Sequence, residues 1–236
     1  MRRSEAPLRK NNSRGQGARL GTLRKDPKAR AFIEAADHYL EAIGYTEHGF
    51  RHADIVSRIA SRILEELGYS AHEAELAAVA GFLHDVGNMA GRRQHHTHGA
   101  LLAREIMEDM GYPFADIGRV MTAIVMHEED EGVLRPDPVA AALLIGDKSD
   151  VHRSRVRTTS MLKDDIHDRV NYAATESELT VRAEPRLIDL SVTIDTRISH
   201  AMEYFEIFLT RMSACRKAAR ALSAEFQLHI NGHRMA

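Results

Sequence analysis

Apolar residues along this chain recur at intervals of three and four over most of its length, and each run is bracketed by residues that start or stop helices. Asp26 followed by Pro27 offers an N-cap and a first-turn proline, and Phe32, Ile33, Ala36, Tyr39, Leu40 and Ile43 then share one face before Gly44. A second helix is predicted from Thr46 along Ile55, Val56, Ile59, Ala60, Ile63, Leu64 and Leu67, with Gly68 as its stop and with His48 and His52 near its start. Ser70 and Glu73 have the spacing of a capping box, opening an apolar segment through Leu76, Val79, Ala80 and Leu83 that ends at His84, Asp85 and Gly87. Further helices are expected over 97–110 and over 114–128, the second along Ile117, Val120, Met121, Ile124 and Val125 with His127 at its end. Asp137-Pro138 repeats the cap-and-proline start, and the apolar run from Val139 to Ile145 leads directly into Asp147, Lys148, Ser149 and Asp150.

After about residue 172 the period shifts toward two. Leu179 to Val181 and Leu187, Leu190, Val192 and Ile194 predict two strands around Glu184-Pro185, in the manner of a hairpin. A long helix over 197–223 and a last strand at Phe226, Leu228 and Ile230 complete a β-β-α-β element. The expected fold is therefore mainly α: a helical body over 26–172, a small α+β unit over 173–236, and a basic, flexible tail over 1–25. Met202, Phe205, Phe208, Leu209 and Met212 form a stripe on the long helix that reads as core or as the seam of a homodimer.

Composition changes this picture in three ways. Cys215 is the only cysteine, which excludes an internal disulfide framework and a thiolate-rich zinc site and leaves histidines and carboxylates as the available metal ligands. The first residues lack the apolar centre of a signal peptide, and no stretch has the apolar length of a spanning helix, so a cytoplasmic chain with no membrane partner is expected. The formal net charge of −2 conceals an excess of basic residues between Arg2 and Arg30. The tail reads as a solvated segment, and no nucleic-acid partner is assigned to it.

The candidate chemistry lies at helix ends. His52 in GFRHADIVSRIA, His84-Asp85 in GFLHDVGN, His127 in AIVMHEED and Asp147 in IGDKSD each stand at or near the end of an apolar stem. Packed helices can bring such ends into one polar cleft. Imidazole nitrogen mixed with carboxylate oxygen suits a divalent cation, with manganese, iron, magnesium, cobalt, nickel and zinc all compatible. Asp85 can bridge two ions through its two oxygens, and a second ion would draw on His127 and one of His95, His96 and His98. Two ions would convert a bridging water to hydroxide near neutral pH for attack on phosphorus.

The order His, His-Asp followed by Val-Gly, His, Asp resembles the HD superfamily of metal-dependent phosphohydrolases, in its HDIG-type branch. HHTHGALLA resembles the helix start H-x-x-x-G-A of that branch, which implies His95 as the second-ion ligand over His96 and His98, and the family pattern implies His52 over His48. DKSDVHRSRVR and DIHDRVNYA are similar to segments of an uncharacterised HD subfamily, so the likeness covers roughly residues 30 to 232. Met126 stands where the HD-GYP branch has the first of two consecutive histidines, and Gly-Tyr-Pro is absent after Glu128, against a third metal and against cyclic-di-GMP as substrate.

The resemblance implies an HD-domain helical bundle acting as a phosphoric ester hydrolase on a small phosphorylated substrate of the nucleotide class. His52, His84, Asp85 and Asp147 would hold one ion, Asp85, His95 and His127 a second, and Asp85 and Lys148 would serve the chemistry. Lys148, Arg92, Arg93 and Arg153, with Arg155 beside them, suit phosphate oxygens. His127 could instead cap its helix's last carbonyls, and Asp147 could pair with Lys148 alone. The second His-Asp pair, His167-Asp168, lies in a polar run and reads as hydrogen-bonded or exposed. Two other classes compete: a mixed-valent diiron oxygenase using the same ligand set, and a binding module that senses a metal or nucleotide.

Overall fold

In a computed structural model of the chain, residues 19–128, 137–157 and 165–235 are described. The expected cap-and-proline starts form: the Asp26 side chain accepts from the Ala29 amide and opens α1 (Pro27–Ala42). α2 (Phe50–Glu66) follows, and the Ser70–Glu73 capping box opens α3 (Ala71–Leu83). A short 3-10 turn (Val86–Ala90) leads to α4 (His95–Asp109), α5 (Phe114–Val125) and α6 (Pro138–Ser149), whose N-cap Asp137 accepts from the Val139 amide. A second 3-10 turn (Arg153–Arg155) and α7 (Ile166–Ala173) connect to β1 (Ala174–Arg182) and β2 (Leu187–Ile194), followed by α8 (Ala201–Ala221), β3 (Glu225–Ile230) and β4 (His233–Arg234).

Two helices sit at the centre because they are apolar on every side. All residues of α3 from Ala74 to Leu83 and all of α6 from Val139 to Gly146 are buried, the signature of a helix enclosed by neighbours rather than lying on a surface. α2 packs against both. Its approach to α3 is closer than a methyl group permits: a Cβ on Gly81 would lie 2.8 Å from Ser57 Cα. The C-terminal ends of α3 and α6, which carry His84-Asp85 and Asp147, are thereby held beside the start of α2, which carries His52.

The sheet has the order β1-β2-β3-β4. β1 and β2 pair antiparallel, with Leu179 opposite Leu190; β2 and β3 pair parallel, with Leu190 opposite Leu228. A parallel pair requires a crossover, and α8 supplies it. Tyr204, Phe208, Met212 and Cys215 form the buried face of α8, which packs on α6, so buried side chains run without a break from Leu23 to Ile230.

Several expectations shift. α2 begins at Phe50 rather than Thr46, so His48 lies in the preceding loop and is not one helical turn before His52. The segment over 166–173, which the sequence marks only as a polar run within the helical body, is the helix α7, opened by Asp165, which accepts from the His167 and Asp168 amides. The long stripe divides: Phe208 and Met212 are core, whereas Met202 and Leu209 face outward because the buried face follows Tyr204, not Met202. Of the expected tail, residues 1–18 lie outside the described residues, while Leu23 is fully buried and Arg19 sits over the Tyr112 ring, so residues 19–25 belong to the body. Among the described residues, no helix is long and apolar enough to cross a membrane.

Candidate metal centre

Four imidazoles meet at one place, and their hydrogen bonds fix which nitrogen each presents there. His84 Nδ1 lies 2.9 Å from Gly81 O, His127 Nδ1 2.5 Å from Ile124 O and His95 Nδ1 3.1 Å from Arg92 O. A carbonyl oxygen only accepts, so in each ring Nδ1 carries a proton and Nε2 is the nitrogen left to meet a metal ion or, in its place, a second proton. His52 Nδ1 donates in the same way to Asp150 Oδ2 at 2.7 Å. All four Nε2 atoms then point at the carboxylates of Asp85 and Asp147 or at each other.

The resulting contacts put acceptor against acceptor. His84 Nε2 is 3.2 Å from Asp85 Oδ2 and 3.7 Å from Asp147 Oδ1; His52 Nε2 is 3.2 Å from Asp147 Oδ1 and 3.7 Å from Asp85 Oδ2. The Nε2 atoms of His52 and His84 are buried and without a hydrogen-bond partner. His95 Nε2 lies 3.6 Å from the other oxygen of the same carboxylate, Asp85 Oδ1, and 3.2 Å from His127 Nε2. Such an arrangement is unfavourable unless a cation lies among the lone pairs. The donors form three overlapping groups able to hold a metal ion: His52, His84 and Asp85; His84, His127 and Asp147; and Asp85, His95 and His127, with the ligand atoms within 4.8 Å of one another in each. Asp85 belongs to two groups and faces them with different oxygens.

Electrostatics express the same demand. The Asp85 and Asp147 carboxyls lie well below the usual carboxylate range: burial opposes their charge, but His84 beside Asp85 and Lys148 beside Asp147 outweigh it. Burial also works against a charged His84, yet Asp85 and Asp147 raise it to about 10. His127 is pushed down to about 3 by burial and by the nearby His84. Two carboxylates thus call for positive charge, and without a metal ion a proton on His84 answers it.

Local sequence explains the convergence. Gly87 follows the His84-Asp85 pair because the 3-10 turn there presses on the first turn of α4: a Cβ on Gly87 would stand 1.9 Å from His95 O and 2.3 Å from Gly99 N. This contact brings the His95 end of α4 against the end of α3. The Asn88 side chain donates to Asp85 Oδ1 at 2.9 Å, fixing the carboxylate plane.

Several functional side chains carry no recognisable sequence signal. Asp150 holds His52 and also accepts from Arg51 Nη2 at 2.9 Å; it could have been suspected only as a second acid following an apolar stem. Its carboxyl lies well below the usual range, as His52 and Arg155 overcome the effect of burial. Glu128 Oε1 is 3.1 Å from His95 Nε2. His48, through its Nδ1 on Thr46 O at 2.6 Å, is held edge-on to the His52 ring.

The centre opens into a cavity of about 430 Å³. Lys148, with Nζ 2.9 Å from Asp147 Oδ2, and Arg92, with Nη1 3.1 Å from His95 Nε2, stand in its wall. Arg155 also lines it, but its guanidinium is committed to the backbone oxygens of Glu47 and Asp150. Arg93 and Arg153, expected to meet phosphate, do not line the cavity: Arg93 is exposed, and Arg153 lies over the Tyr172 ring. His96 and His98 fall outside the three donor groups, as does His167, which is largely exposed with Nδ1 3.4 Å from Asp165. Arg211 of α8 reaches the cavity, so the C-terminal element helps to form it.

Residues 49–153 match the family described as HD domain. Over that stretch the chain is similar to HD domains. The matched segment contains all six metal-ligand candidates and Lys148. HD domains are a family of metal-dependent phosphohydrolases, consistent with the acceptor cluster found here. The chain is also similar to an uncharacterized protein, MJ1020, of Methanocaldococcus jannaschii, at 26% identity over 193 residues covering 73% of this chain and 74% of that protein. That similarity covers more of the chain than the HD match and brings no activity with it.

Proposed function

We propose that this chain hydrolyses a phosphate ester of the nucleotide class with the aid of one or two divalent cations. The observation that carries this reading is the set of four Nε2 lone pairs, each fixed by a hydrogen bond at Nδ1, gathered around the two oxygens of Asp85 and one of Asp147. His52, His84, Asp85 and Asp147 would hold the first cation; Asp85, His95 and His127 would hold the second. A bound divalent cation would neutralise charge on the phosphoryl oxygens and acidify a water molecule.

The chain's own residues supply orientation and charge. Asp150 keeps the His52 ring in the tautomer that exposes Nε2, and Asn88 holds Asp85 with both oxygens available to separate groups. Lys148 steadies Asp147 and presents an ammonium to the cavity, where phosphate oxygens would meet it; Arg92 adds a guanidinium beside His95. The cavity volume falls within the range of roughly 300–1,000 Å³ usual for small-molecule sites, which supports a substrate of nucleotide size.

The test is a metal-supplemented screen of nucleotides, cyclic dinucleotides and simple phosphomonoesters, run beside Asp85→Ala. Hydrolysis that needs added cation and vanishes in the variant together with bound metal is the expected result. Retention of both metal and hydrolysis by Asp85→Ala would overturn the assignment.

A further inference from the structure

The His167-Asp168 pair has no part in the metal centre, yet the helix that carries it forms a wall of the same cavity. Asp168 and Asn171 lie three residues apart on α7, on one face, and both line the cavity while being more than nine-tenths buried. Asn171 Nδ2 donates to His167 O at 2.8 Å, which fixes the amide orientation and leaves Oδ1 as an acceptor. The Asp168 carboxylate accepts no hydrogen bond from any described residue; its neighbour Asp165 is occupied in capping the helix. Burial and, after it, the charge of Asp165 push the Asp168 carboxyl up from its usual value.

Asp168 and Asn171 thus present acceptors without a donor among the described residues, side by side on a cavity wall, where a group entering the cavity can donate to them. A phosphate cannot do so, since it brings acceptors and negative charge, and the cavity already offers it Lys148 and Arg92. The complementary group is the other end of a phosphate ester. Adjacent hydroxyls of a sugar each bring one O–H, one for a carboxylate oxygen and one for an amide oxygen, at a spacing that neighbouring side chains on one helix face can match.

We propose that Asp168 and Asn171 are the specificity-determining pair of this site and that they accept hydrogen bonds from sugar hydroxyls on the substrate's leaving group. The assignment rests on the phosphohydrolase reading of the metal centre. It also gives the second His-Asp pair a role in which Asp168 recognises substrate and His167 stays at the rim.

The experiment compares adenosine 5′-monophosphate, its 2′,3′-dideoxy analogue and phosphoethanolamine on the full-length, metal-loaded protein, with Asp168→Asn and Asn171→Ala beside it. Wild-type kcat/KM is expected to favour the hydroxylated nucleotide by at least about tenfold, and each variant should reduce that preference to about threefold or less. A wild type without preference, a preference that survives in the variants, or a preference for the ammonium-bearing ester would each overturn the proposal. If none of the esters is hydrolysed, the phosphohydrolase reading fails by itself, and calorimetric Kd values for the two nucleotides carry the comparison: tighter wild-type binding of the hydroxylated one by about tenfold supports the pair, and equal binding refutes it. Metal content and thermal unfolding of each variant establish that it is folded, and Asn171→Ala alone decides the matter if Asp168→Asn is not.

Discussion

Replacing Asp150 by Asn tests the tautomer argument without altering any ligand. Asp150 Oδ2 accepts from His52 Nδ1 at 2.7 Å and from Arg51 Nη2 at 2.9 Å, and Oδ1 takes a longer bond from Arg51 Nη1 at 3.3 Å. An asparagine can keep only one side of this arrangement. If its amide oxygen faces His52, its NH2 opposes the donors of Arg51; if its NH2 faces His52, Nδ1 must accept and the ring proton moves to Nε2, the atom offered to the cation. Either outcome forfeits a charge-assisted bond contributing about 1.5–3 kcal/mol. At about 1.4 kcal/mol per factor of ten, metal affinity should fall by roughly ten- to a hundredfold, the range usual for a lost partner of a ligating histidine. Competition with a fluorescent chelator, for zinc and for manganese, gives the affinity, and circular dichroism checks the fold. An Asp150→Asn protein that folds and binds both metals within about threefold of wild type would refute the reasoning.

Two further outcomes follow from the same geometry. Gly87→Ala places a methyl against the backbone at His95 and Gly99, so the start of α4 must move; unfolding free energy should drop by about 1–3 kcal/mol or more and metal affinity should fall with it, whereas a variant with wild-type stability in urea would contradict the close contact. His84 is raised from 6.5 to about 10 in the metal-free protein, so its protonated form contributes stability that is fully present below about pH 6.5 and is lost as pH climbs through about 10. Thermal unfolding of the metal-free protein should therefore weaken between pH 7 and about 10 relative to a His84→Gln variant, and an unchanged difference across that window would count against the Asp85 and Asp147 pairing with His84.

The helical body was legible because its signals are local. Asp26-Pro27, Asp137-Pro138 and the Ser70–Glu73 box each cap the helix they were expected to cap, since the cap is made by side chains within three residues of the amides they serve. The hairpin around Glu184-Pro185 and the strand at Phe226 to Ile230 followed from alternation, though the parallel pairing of β2 with β3 is a non-local fact. The metal-ligand candidates stood out because His84-Asp85 and Asp147 end stems too apolar to tolerate them otherwise, and the structure brings all six together.

What escaped the sequence depends on partners distant in the chain. Asp150 serves His52 across 98 residues, and no local spacing announces that. Arg155 looked like a phosphate anchor, but backbone oxygens that only the fold brings near occupy it. α7 carries so many polar residues that its helical period is faint, and its inner face becomes visible only once the cavity it lines is known. Leu23 reads as part of a charged tail until the body supplies the surface that buries it.

The central claim is that a cation belongs among the Nε2 lone pairs of His52, His84, His95 and His127. Crystals of the protein soaked in manganese and measured at an energy that gives anomalous signal test it directly. The account predicts an anomalous peak at ligand distance, roughly 2.0–2.2 Å for nitrogen and carboxylate oxygen, from His52 Nε2, His84 Nε2, Asp85 and Asp147, with any second peak bridged to it by Asp85. Fully soaked crystals with no peak in the cluster, or with manganese bound only elsewhere, would contradict it.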